Sequence, residues 1–290
     1  MKLKGVLPAL VTPLRADESL NDRALEALIE HLLKEGAAGF YVGGATGEGL
    51  ALRRDVREEL AARAVAITAK RAPVIVHIAS MDFSEALALA AQAEACGADA
   101  VSAVPPLYFT YGREEIYQYY KALAAASSLP LIVYNTPAAG VRLSAEETAR
   151  LFEIDNVAGV KWTWPSYDQV IRLKDLTHGE MLVVNGPDET LLMGLAAGAD
   201  AAIGTTYNVV LPWAKAVYDA FTRGDLAAAQ KAQATLTRFI SRFEGEPTIP
   251  AVKAYLRAKG FAVGEAAFPQ KRLSAAETAA LVARLDGALA

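Results

Sequence analysis

Eight short apolar segments, each followed by a longer amphipathic stretch, run from Val6 to Ile203, and this alternation restricts the possible folds more than any other feature. The segments are Val6–Leu10, Gly39–Val42, Val74–Ile78, Ala100–Val104, Leu131–Tyr134, Val157–Lys161, Met181–Val184 and Ala201–Ile203. Short and rich in β-branched residues, they read as strands. The alanine-rich stretches between them, such as Asn21–Gly36, Arg53–Lys70, Ser84–Gly97 and Arg113–Ala126, read as helices. Asn21, Ser84 and Ser144 stand where N-caps belong, because their side-chain oxygens can accept from the free amides of a first turn. Gly36, Gly97 and Gly198 stand where helices end.

Apolar strands alternating with helices predict a parallel sheet covered by a helical layer. Eight such units fit an α/β (β/α)8 TIM barrel better than a doubly wound open sheet, and no G-x-G-x-x-G follows the first strand. The helical surplus beyond the eighth strand predicts a C-terminal extension. Residues 1–210 are assigned to the barrel core and 211–290 to the closing helix and further helices packed on it, within one structural domain.

Composition bounds the partners. With 290 residues, 53% of them hydrophobic and 21% charged, the chain can bury a large core and disorder is excluded. Lys+Arg 29 against Asp+Glu 33 leaves a net charge of −4, with no bulk field to attract nucleic acid or anionic lipid. The apolar runs fall short of the ~20 residues of a membrane span, and no signal peptide is visible before the first strand. The single cysteine, Cys96, offers neither an internal disulfide nor a CxxC site, so a reducing cytoplasm is expected. His31, His77 and His178 are scattered, and no metal site is expected.

In a barrel, chemistry collects at the carboxyl ends of the strands. Lys161 ends an apolar strand there. A lysine in such a place can snorkel its ammonium out of the mouth. It can also be desolvated into a neutral amine that attacks a ketone and makes an electron-withdrawing imine. Tyr134 ends the preceding strand, where it can carry protons for that imine or simply pack at the core edge. The Gly43-Gly-Ala-Thr-Gly-Glu-Gly49 loop can turn tightly and offer amides to a carboxylate. Asp188 and Glu189, after the seventh strand, can bind hydroxyls of a polyol or cap the helix that follows. Trp162 and Trp164 either narrow the mouth or pack against the outer helices.

In order along the strands, G-G-A-T-G-E (Gly43–Glu48), Y-N-x-P (Tyr134–Pro137), G-V-K (Gly159–Lys161) and I-G-T-T-Y-N (Ile203–Asn208) make the chain resemble the pyruvate-dependent Schiff-base aldolases. This is the dihydrodipicolinate synthase and N-acetylneuraminate lyase family. The resemblance runs from about Gly5 to Asn208 and the helical tail also fits. It implies that Lys161 forms an imine with pyruvate or a 2-oxo acid, needing no external cofactor, and that Tyr134 moves protons. It implies that Ala45 and Thr46 hold the carboxylate, that the Ile203 carbonyl faces the imine, and that Tyr108 is lent across a dimer to a neighbouring site. A homotetramer built as a dimer of dimers is the implied assembly, with pyruvate and an aldehyde as the small-molecule partners.

The lyase branch looks closer. Gly43-Gly44, Thr163, Gly186, Asp188 and Glu189 are similar to its sugar-acid contacts, as is the segment holding Thr205. The arginine that the synthase branch carries shortly after Y-N-x-P is replaced by Ala138-Ala139-Gly140, with Arg142 beyond the glycine. Ala45 departs from both branches, which carry serine or threonine there, so one relay hydroxyl is missing. The expected activity is therefore a carbon–carbon lyase acting on a sugar acid such as N-acetylneuraminate. A 2-keto-3-deoxy sugar-acid aldolase or dehydratase comes next, then a 4-hydroxy-tetrahydrodipicolinate synthase. Ala45 also keeps open a non-catalytic barrel of the same fold.

Overall fold

In the computed structural model, which describes residues 2–289, strand and helix alternate from one end of the barrel to the other. The strands are β1 (Gly5–Pro8), β2 (Phe40–Val42), β3 (Val74–His77), β4 (Ala100–Ala103), β5 (Leu131–Asn135), β6 (Val157–Trp162), β7 (Leu182–Asn185) and β8 (Ala201–Gly204), each bounded within two residues of the sequence-based expectation. All neighbours are parallel, in the order β1-β8-β7-β6-β5-β4-β3-β2. A parallel bridge between Ala9 and Tyr41 closes the ring, supported by Leu10 N–H donating to the Tyr41 carbonyl at 2.9 Å. The closed (β/α)8 barrel thus replaces the open-sheet alternative. The strands are buried along nearly their whole length, because one face fills the barrel and the other meets helices.

The helices of the outer layer are α1 (Asp22–Lys34), α2 (Arg54–Thr68), α3 (Phe83–Ala95), α4 (Arg113–Ala124), α5 (Ala145–Phe152), α6 (Tyr167–Leu176), α7 (Leu191–Ala196) and α8 (Tyr207–Thr222). α1 shows why they settle there: Ala24, Leu25, Leu28, Ile29 and Leu32 recur at helical spacing and are all buried. Asn21 caps it by accepting from Ala24 N–H, and Ser144 begins α5 with a reciprocal capping box through Glu147. Ser84 is not the cap of α3. Asp82 takes that role by accepting from Ser84 N–H at 2.8 Å, since an aspartate two residues upstream reaches the first turn and leaves Ser84 inside it.

Beyond the barrel lie α9 (Leu226–Ile240), α10 (Thr248–Ala258) and α11 (Ala275–Leu289). α10 is tied to the loop after β2 by an ion pair with both side chains at 0% exposure: Lys253 Nζ donates to Glu48 Oε1 at 2.9 Å. Glu48 Oε2 accepts from Ala267 N–H and from Gln270 Nε2, each at 2.6 Å. Burial drives the Lys253 ammonium below its ordinary value, and the Glu48 carboxylate opposes that shift. Replacing Glu48 by Ala would leave that ammonium dry and unpaired. The expected loss is about 3–5 kcal/mol of stability, read from denaturant titrations of parent and variant. A loss under about 1 kcal/mol, the size of an exposed pair, would contradict this account.

Candidate active site

The parallel register sets Tyr134 of β5 directly beside Lys161 of β6, with Val184 of β7 on the other side. Lys161 is 5% exposed. Buried lysines are ordinarily paired with a carboxylate, as Lys253 is. Lys161 instead lies with its Nζ 3.9 Å from the centre of the Tyr134 ring and 5.0 Å from that of Tyr41. Two aromatic faces therefore surround the amine. Burial raises the Tyr134 hydroxyl, but the Lys161 charge and hydrogen bonds with Lys161, Thr136 and Thr163 bring it below its ordinary value overall. A tyrosine so placed is closer to the phenolate than a free one, which suits it to take a proton.

Tyr41 was not legible as a site residue, since an aromatic inside a fully apolar strand reads as core. Its hydroxyl donates to Ser102 Oγ at 3.1 Å, and Ser102 in turn donates to the Ile132 carbonyl at 2.8 Å, which fixes the ring. His77, on β3, stands edge-on to Tyr134 with ring centres 6.1 Å apart.

The loop after β2 is shaped by its glycines. A Cβ on Gly49 would fall 1.8 Å from the Gly43 carbonyl oxygen, so only glycine allows the loop to fold back on itself. Thr12 Oγ1 donates to the Gly47 carbonyl at 2.5 Å, and the Thr46 and Thr205 hydroxyls are hydrogen-bonded at 2.7 Å, joining the loops after β2 and β8. Asn208 steadies the β8 loop by donating to the Ala9 carbonyl at 2.6 Å and the Thr205 carbonyl at 2.8 Å.

A cavity of about 710 Å³ opens above these loops. It gathers Ala45, Thr46, Thr163, Gly186, Asp188, Glu189 and Thr205, seven of the residues singled out in the sequence, and runs out to Phe243 and Ile249 at the extension. Gly186 packs so closely on Thr163 that an added Cβ would lie 2.1 Å from Thr163 Oγ1. Glu189 is exposed to the cavity. Asp188 is buried, and its Oδ2 accepts from Thr206 N–H at 2.8 Å and Thr206 Oγ1 at 2.6 Å, at the start of α8. Gln233 of α9 was not foreseen: its Nε2 donates to the Glu189 carbonyl at 2.9 Å, so the extension positions this loop as well.

Burial pushes the Asp188 carboxyl up to about 7, with the Thr206 hydrogen bonds opposing, Glu189 adding and Lys161 subtracting. Between pH ~4 and ~7 the folded chain thus holds a proton that the unfolded chain has released. This group favours the folded state most below pH ~4 and loses that effect as pH rises towards 7. Asp188→Asn keeps an oxygen acceptor for Thr206 and removes the titration. The gap between parent and variant melting temperatures is expected to move in the variant's favour from pH 4 to pH 7. A constant gap would mean that Asp188 is ionised throughout.

The remaining expected residues lie elsewhere. Ile203 is fully buried on β8. Tyr108 is 86% exposed and lines a surface hollow with Phe109, Tyr111 and Val141, apart from the cavity of Thr46 and Thr163. Trp162 is buried, and the alternation of a strand sends it to the face opposite Lys161, towards the outer helices. Trp164 donates its Nε1–H to Asn135 Oδ1 at 3.1 Å, and the Arg142 guanidinium stacks over it at 5.2 Å. Asn135 also brackets Leu143, donating to its carbonyl at 2.9 Å, and so pins the loop after β5.

The sequence profile of the Dihydrodipicolinate synthetase family matches residues 2–287. An N-acetylneuraminate lyase of Rhizobium meliloti (strain 1021) is 35% identical over 281 residues, covering 97% of this chain and 94% of that protein. Among solved structures, the N-acetylneuraminate lyase of Proteus mirabilis superposes with a TM-score of 0.94 at 27% identity, over 99% of both chains. A dihydrodipicolinate synthase from Bacillus anthracis superposes with a TM-score of 0.93 at 27% identity, over 99% of this chain and 98% of that one. A closed barrel with a lysine at the end of its sixth strand, and a profile that spans nearly the whole chain, lead to one assignment: the chain belongs to the dihydrodipicolinate synthetase family.

Proposed function

We propose that the chain is a cofactor-independent class I lyase that cleaves, or in reverse forms, a carbon–carbon bond between pyruvate and an aldehyde, with N-acetylneuraminate as the sugar acid. The observation that carries this reading is the Lys161 amine, buried between two tyrosine rings and 3.9 Å from that of Tyr134. The amine adds to the keto carbon of the sugar acid and water leaves, giving a protonated imine. Tyr134, as phenolate, takes the proton of the substrate's C4 hydroxyl. The C3–C4 bond breaks, its electron pair flows into the imine as an enamine, and the aldehyde departs. Tyr134 returns the proton to C3, and water releases pyruvate from Lys161. The Ala45 and Thr46 amides and the Thr46 hydroxyl hold the carboxylate, and the Ile203 carbonyl faces the imine.

The lyase branch is favoured by the rim of the cavity. Thr163, Gly186, Glu189 and Thr205 present hydroxyls, backbone and a carboxylate, which suit a polyol. Arg142, the nearest candidate to hold an acidic second substrate, is stacked on Trp164. The proposed assembly is a cytoplasmic homotetramer in which exposed Tyr108 reaches a neighbouring site, with residues 1–210 as barrel core and 211–290 as its packed helical extension. Incubation with pyruvate and borohydride, followed by intact mass and peptide mapping, tests the chemistry. A pyruvate-sized adduct on Lys161 is expected. A folded protein with no adduct overturns the reading.

A further inference from the structure

Beside Tyr134 lies a second cavity of about 200 Å³, with Ala45 lining both it and the large one. Its walls come from Ala45, Leu50, Val104, Leu107, Ala138 and Ala139, on the loops after β2, β4 and β5. The polar residues at its edge are occupied or turned away. The Glu48 carboxylate is spent on Lys253, Ala267 and Gln270. Thr136 Oγ1 accepts from Ala138 N–H at 3.4 Å. Both ring nitrogens of His77 lie beneath the accessible surface, so its ring offers this space only carbon.

The large cavity is built the other way, from the threonines Thr46, Thr163 and Thr205 and the carboxylate of Glu189. A polyol suits that space and an alkyl group suits this one, because apolar surface gains by leaving water and an unpartnered hydroxyl loses by it. At roughly 30 Å³ for a water-sized group, the smaller cavity has room for several methylenes. Tyr134 fixes which atom of a bound oxo acid comes near it. Its side chain lines the apolar cavity, and its ring centre is 3.9 Å from Lys161 Nζ. The carbon that trades protons with Tyr134 is C3, next to the imine carbon.

We propose that the apolar cavity is a subsite for an alkyl group on C3 of the oxo acid, so that Lys161 takes straight-chain 2-oxo acids longer than pyruvate, 2-oxobutyrate being the smallest. The inference rests on the reading of Lys161 and Tyr134 given above. The Lys161 amine adds to the keto carbon of 2-oxobutyrate and water leaves, giving a protonated imine. The Tyr134 phenolate takes a proton from C3, and the electron pair of that C–H bond becomes the C2–C3 double bond of an enamine. The added methyl group lies among Val104, Leu107 and Ala139, while the face of C3 towards the large cavity stays open to an aldehyde. Return of the proton to C3 and addition of water release 2-oxobutyrate and the free amine.

The test compares pyruvate with 2-oxobutyrate in the parent, in Ala138→Leu and in Ala139→Leu, two variants that fill the cavity from the loop after β5. Borohydride trapping over a range of concentrations, read by intact mass, gives the half-saturating concentration of each acid, and NMR in D₂O follows exchange at C3. In the parent, 2-oxobutyrate is expected to half-saturate at about fourfold lower concentration than pyruvate, the gain from burying one methylene, and to exchange its C3 hydrogens. In the variants, pyruvate trapping and N-acetylneuraminate cleavage are expected to stay parental, while 2-oxobutyrate weakens at least tenfold in one or both. Half-saturation of the parent at a higher concentration of 2-oxobutyrate than of pyruvate overturns the subsite. Parental 2-oxobutyrate trapping in both variants overturns it too, as do equal losses of the two acids in both. A parent that traps no pyruvate overturns the reading of Lys161 itself, whereas one that traps pyruvate and prefers it overturns the subsite alone.

Discussion

Lys161→Ala is expected to form no adduct with pyruvate under borohydride and to have no measurable turnover, while remaining folded. The reason is specific to this amine. Lys253 is buried against a carboxylate and holds the structure together, whereas Lys161 is buried against the π faces of Tyr134 and Tyr41. Its removal leaves no counter-charge stranded, so the far-ultraviolet spectrum and melting temperature should stay near those of the parent. The small cavity is left at the mouth, where solvent and loops can adjust. Full turnover in this variant would end the imine mechanism for this protein. Loss of turnover together with loss of fold would show that Lys161 is structural.

Tyr134→Phe is expected to separate the two halves of the reaction. The ring beside Lys161 remains and the hydroxyl goes, so pyruvate should still be trapped on Lys161. Proton transfer to and from the bound substrate should slow by about 10²–10⁴-fold. The measurement is steady-state cleavage of N-acetylneuraminate, with pyruvate release followed at saturating substrate. An unchanged kcat would remove Tyr134 from the proton path, whatever its distance from the amine.

Much of the candidate site was legible in the chain itself. Lys161 was visible because a lysine at the end of a wholly apolar strand is unusual, and Tyr134 because it closes the strand before. The loops after β2, β7 and β8 announced themselves by glycines and polar residues at strand ends, and their side chains do line one cavity. Other features were hidden by their physics. Tyr41 sits in a three-residue strand of buried side chains, where an aromatic carries no sign that its ring faces an amine. His77 could be dismissed as a metal ligand from spacing alone, but its edge-on stand against the Tyr134 ring, with ring centres 6.1 Å apart, appears only once the strands are paired. Asp188 looked like a sugar contact or a local cap, and its Oδ2 is in fact occupied by Thr206 across the gap between two loops. Ser84 and Asp82 compete for one helix start, and propensity alone does not rank an aspartate two positions earlier above the serine.

The tie between Glu48 and Lys253 also has a consequence in time. Its two ends are separated by 205 residues, and the same carboxylate is bound by Ala267 and Gln270 nearer still to the C-terminus. A nascent chain on the ribosome can therefore have all eight strands translated while the loop around Ala45 and Thr46 still lacks its anchor. Lys161 is translated before that anchor, and the loop around Ala45 and Thr46 is tied down only when the last helices arrive. Translation thus sets the order in which the parts of the site mature, and a stalled fragment ending before α10 carries the lysine without the finished pocket.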